Sequence, residues 1–62
     1  MNRDYDLFEK LPNGSVLWRM VVTGRDQCLQ ALRRLAEVSS NEVFAMHTPT
    51  KEVIATLNKK HA

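Results

Sequence analysis

Cys28 and His47 are the candidates for nucleophilic chemistry, because a thiol attacks as its thiolate and needs a base or cation beside it to form one. Their expected positions keep them apart. Cys28 falls on the apolar stripe of a helix, where it acts as a small buried hydrophobe, and His47 falls on the far face of a sheet. There His47 stands opposite Glu52, as a titratable cross-strand pair. One cysteine and two histidines remote from each other do not make a metal site, so no metal or cofactor is expected. Asp4, Asp6 and Glu9 lie near the N-terminus without an apolar wall to raise a carboxyl pKa. Gly14 and Gly24 are both spent on turns, which leaves no glycine-rich loop for a phosphate. An enclosed pocket of about 300 Å³ or more is also hard to build in so small a domain, and the chain reads as a non-enzyme.

Binding chemistry is better supplied. Phe8, Lys10 and Arg19 would set an aromatic ring between cations on an open sheet face, the logic of single-stranded RNA platforms. Arg25, Arg33 and Arg34 on the helix add a route to phosphates. Against this, the net charge is only +2, Asp4, Asp6 and Glu9 are mixed with Arg3 and Lys10, and Lys59, Lys60 and His61 form the one uniformly basic run. A short basic tail is usually solvated, so nucleic-acid binding is the alternative expectation.

The elements that position these groups follow from periodicity. Tyr5 to Leu11 alternates like a strand, with Tyr5, Leu7, Glu9 and Leu11 on one face and Asp6, Phe8 and Lys10 on the other. Asn13-Gly14 is a two-residue hairpin signal. Such a loop would pair Leu11 with Val16, Glu9 with Trp18, Leu7 with Met20 and Tyr5 with Val22, in a second strand from Ser15 to Val22. Thr23 reads as the cap of a helix over 25–38, striped by Cys28, Leu29, Leu32 and Leu35. Ser39, Ser40 and Asn41 stop it, Asn41 being suited to a left-handed conformation. Glu42 to His47 is a third strand, with Phe44 and Met46 facing inward. Pro49 marks a turn, and the β-branched residues in Glu52 to Leu57 favour a fourth strand over a short helix.

These pieces give an α+β fold, ββαββ, with a four-stranded antiparallel sheet and one helix packed on one face. A right-handed crossover would set the strand order 2-1-3-4. The expected core is Tyr5, Leu7, Leu11, Val16, Trp18, Met20 and Val22 from the first hairpin. Phe44, Met46, Val53, Ala55 and Leu57 complete it from the second.

Sixty-two residues, 44% of them hydrophobic, make one domain with an ordered core over about 4–58. A chain of this size buries only about 60% of its unfolded surface and gains from a partner. Its apolar runs are too short for a membrane span or a signal peptide, so it reads as cytoplasmic. One helix covers one face of a sheet, and the other face is expected to carry Phe8, Leu17, Val21, Val43 and Ile54. An apolar patch of that kind marks an interaction surface. The expected function is therefore protein binding, as a homodimer or with another protein.

Overall fold

The computed structural model describes residues 3–59; of the basic tail, Lys60 and His61 lie outside the described residues. The elements are β1 (Asp4–Lys10), β2 (Val16–Thr23), α1 (Arg25–Val38), β3 (Glu42–His47) and β4 (Glu52–Leu57). The strands form one antiparallel sheet in the order β2-β1-β3-β4, and α1 touches all four of them. The ββαββ architecture and the strand order are those expected, and 52–57 is a strand.

The first hairpin turns differently from its Asn-Gly signal. A two-residue loop would make Pro12 the partner of Ser15, and proline has no N–H to close that pair. The chain instead places Pro12 at the second position of a four-residue turn, where its fixed φ is favoured. Gly14 N–H donates to the Leu11 carbonyl at 2.9 Å and Leu11 N–H donates to that of Ser15 at 2.8 Å. Only Gly14 of the pair takes a positive φ, 90°. This three-residue loop shifts the register by one, so that Lys10 pairs with Val16, Glu9 with Leu17 and Phe8 with Trp18. A β-bulge at Arg19 then absorbs one residue. Beyond it, Leu7 pairs with Met20 and Tyr5 with Val22, as the sequence indicates.

The core lies between α1 and one side of the sheet. It consists of Tyr5, Leu7, Cys28, Leu32, Leu35, Val43 and Ala45, with Met20, Val22, Ile54, Ala55 and Leu57 packed around them. Phe44 and Met46 point the other way. The reason is the pairing of Phe8 with Phe44 and of Leu7 with Ala45: directly opposed side chains share a face, and Leu7 is committed to the core. Val16 and Trp18 leave the expected core through the shifted register, and Val53 leaves it through a second bulge, at Ile54, between the pairs Ala45–Ala55 and Met46–Val53.

The ends of α1 are also held otherwise than expected. Gly24, at φ 95°, occupies the N-cap without a side-chain bond, and the Thr23 hydroxyl donates to Asp4 Oδ1 at 2.8 Å. At the C-terminal end Ser39 stops the helix, as expected, and is the cap in an extended conformation. Asn58, not Asn41, is left-handed. Its Nδ2 donates to the carbonyls of Ala36 and Ser39 at 2.9 Å each, satisfying groups that the end of a helix leaves open.

Candidate interaction face

The uncovered side of the sheet is organised in rows running across the strands. Trp18, Phe8, Phe44 and Thr56 are successive register partners from β2 to β4. The rings of Phe8 and Phe44 stack at a centroid distance of 5.2 Å and an angle of 21°. Val16, Lys10 and Glu42 form the row on one side, and Val21, Asp6, Met46 and Val53 form the row on the other. Trp18 is 55% exposed, and Val16, Val21 and Val53 are exposed with it. The indole is held in place: its Nε1 donates to Asp6 Oδ1 at 3.2 Å, while Asp6 Oδ2 accepts from the Thr48 hydroxyl at 2.9 Å.

Of the five residues expected here, Phe8 and Val21 are on this face and three are not. Val43 is fully buried under α1, opposite Glu9 and in the same phase as Ala45. Leu17 pairs with Glu9 and so shares the helix side. Ile54 is the bulge residue and packs against the core. Trp18, Phe44, Met46, Val16 and Val53 are the residues missed. Pro12 carried the signal for Trp18 and Val16, because it excludes the two-residue loop that would send them inward.

The basic platform does not assemble. The bulge carries Arg19 to the helix side, where Nη1 stands 3.7 Å from Glu9 Oε1. Arg25, Arg33 and Arg34 belong to α1 and are exposed, with the sheet between them and the aromatic row. Lys10 alone stays beside Phe8, on a face that also carries Asp4, Asp6 and Glu42.

The candidates for chemistry have structural partners. Cys28 is fully buried, and burial pushes its thiol up, against a smaller pull from Arg25, so a reactive thiolate is disfavoured. His47 is on the helix side, not the open one, because it pairs with Tyr5. Its ring lies 5.1 Å from that of Tyr5, and Nδ1 shares a 2.9 Å hydrogen bond with Thr50 Oγ1. Glu9 is nearly buried. Its Oε2 accepts from Asn41 Nδ2 at 2.6 Å and from Ser39 Oγ at 2.8 Å. The Asn41 bond, then the Ser39 bond and finally Arg19 hold its carboxyl below the usual carboxylate range, despite an opposing effect of burial.

Among the described residues there is no group of three or more His, Cys, Asp and Glu placed to hold a metal ion, and no helix long and apolar enough to cross a membrane. No protein-family model matches the chain, and neither a curated protein nor a solved structure matches it.

Proposed function

We propose that this protein is a small non-catalytic association module that pairs with a second copy of itself through the uncovered sheet face. The observation that carries this is the in-register row Trp18–Phe8–Phe44, flanked by exposed Val16, Val21 and Val53. Contiguous apolar surface of this kind is costly to leave in water. Two such faces would stack about 10 Å apart. With the strands of the two copies reversed, Lys10 of each would approach Asp6 of the other. The acids Asp4, Asp6 and Glu42 favour a protein over a nucleic acid on this surface.

The test is sedimentation equilibrium alongside fluorescence of the single tryptophan. Raising the concentration should increase the mass to twice that of the chain and shift the Trp18 emission to the blue. Phe8→Glu should keep the protein monomeric, with its emission constant and its helical circular dichroism retained. A wild-type protein that stays monomeric at millimolar concentration overturns self-association. The aromatic row also favours a second reading, stacking of single-stranded bases. Oligouridine at low salt should then shift the Phe8, Trp18 and Phe44 resonances, and their constancy would exclude it.

A further inference from the structure

On the other side of the sheet, α1 leaves the margin of β2 uncovered. A groove of about 540 Å³ runs between them, open rather than enclosed. Its apolar floor and wall come from Met20, Val22, Ala31, Leu35 and Val38, and Val38 is 83% exposed. The ionisable side chains lining it are Arg19 and Arg34, both cationic. Arg19 has Glu9 nearby, whereas Arg34 has no ion pair among the described residues.

The groove adjoins an open strand edge, since β2 ends the sheet. Gly24 N–H donates to the Arg3 carbonyl of the neighbouring chain segment. By the alternation of antiparallel hydrogen bonding, Val22 and Met20 also face β1, while Val21 and Thr23 turn their N–H and C=O groups outward. The bulge at Arg19 ends this regular stretch of edge.

We propose that the groove receives an extended protein segment that adds as a strand beside Met20–Thr23, with apolar side chains over Ala31 and Leu35 and carboxylates toward Arg19 and Arg34. Main-chain pairing at an edge combined with side-chain pockets beside it is a recurring way to bind peptides. Charge complementarity selects the acidic class. An anionic segment gains from both arginines, and a cationic one is repelled by both. Apart from Val21, whose side chain lies on the aromatic face and whose main chain forms this edge, the surface shares no residue with the aromatic face, and Phe8→Glu tells the two apart.

The test is titration of the ¹⁵N-labelled full chain with a capped eight-residue peptide in which threonine alternates with, in turn, valine and glutamate, so that valines and glutamates share one face of the strand, and with the counterpart that carries lysine for glutamate. The expected result is saturable movement of the Val21, Thr23, Ala31 and Val38 amides with the glutamate peptide alone. Arg34→Glu should weaken that binding at least tenfold, Arg34→Gln should weaken it less, and Phe8→Glu should leave it unchanged. Val21→Pro, which removes an outward N–H without touching the β1 pairing, should abolish it. Equal binding of both peptides, movement confined to the aromatic face, or an Arg34→Glu protein that folds and binds as wild type would overturn the proposal. So would shifts at α1 and β2 that follow protein concentration rather than peptide.

Discussion

The two faces of the sheet are both apolar, but they are built from side chains of different shape. Beneath α1 lie Leu7, Val43 and Ala45, all fully buried, against Cys28 and Leu32. On the open face lie Phe8, Trp18, Phe44 and Met46. The covered face selects for fit. A helix packed across four strands leaves a thin layer in which a leucine on one strand can be opposed by an alanine on the next. The ring this layer does hold, that of Tyr5, lies toward the end of the sheet beside His47. No neighbour in the chain limits volume on the open face, so its residues can present area instead. The largest hydrophobes of a small domain are thus a poor guide to its core.

The substitution expected to separate the faces most is Leu32→Ala. Its site is buried on all sides, and loss of the side chain should cost about 2–5 kcal/mol in urea denaturation. Ala45→Phe comes next: forcing a ring under the helix should cost about 1–3 kcal/mol, whereas a phenylalanine one residue earlier in the same strand is native. Removing that ring with Phe44→Ala should cost about 0.5–1.5 kcal/mol through its stack on Phe8, and should weaken self-association more than it weakens the fold. Equal losses from Leu32→Ala and Phe44→Ala would erase the distinction between the faces.

A finer test uses Glu9, the acid on the covered side. Its carboxyl is held low in the folded chain, so the folded state binds its proton less readily than the unfolded state does. The stability this contributes is fully present above the ordinary carboxylate pKa and is lost as pH falls through the lowered value. Acid titration of wild type should therefore show a loss of stability in that window which Glu9→Gln reduces. An unchanged acid limb would remove Glu9 as the link between β1 and the end of α1.

The sequence indicates the elements well because each is a local matter. The stripe of Cys28, Leu32 and Leu35 defines α1, the β-branched run defines β4, and the bounds of α1, β3 and β4 agree with the structure. The faces are harder, since phase depends on partners. In β3 both alternations, Val43 with Ala45 and Phe44 with Met46, are apolar, and only pairing with β1 decides between them. In β2 the loop and the bulge shift the register in opposite senses, so Met20 and Val22 are placed correctly while Trp18 and Arg19 are not. That exchange is what hides the aromatic row from a simple alternation and moves a cation from the open face to the groove.

The two bulges also govern how the chain can change length. Removing one residue from a regular strand turns every following side chain to the opposite face, but Arg19 and Ile54 stand outside the alternation. Deleting Arg19 would bring Trp18 and Met20 into direct succession opposite Phe8 and Leu7, and deleting Ile54 would do the same for Val53 and Ala55 opposite Met46 and Ala45. Each of these two strands lies at a margin of the sheet, while the ladder between β1 and β3 runs unbroken. Deleting either bulge residue therefore keeps the remaining side chains of its strand on the faces they hold, with loss only of the Arg19 contact to Glu9 or of the Ile54 packing against the core.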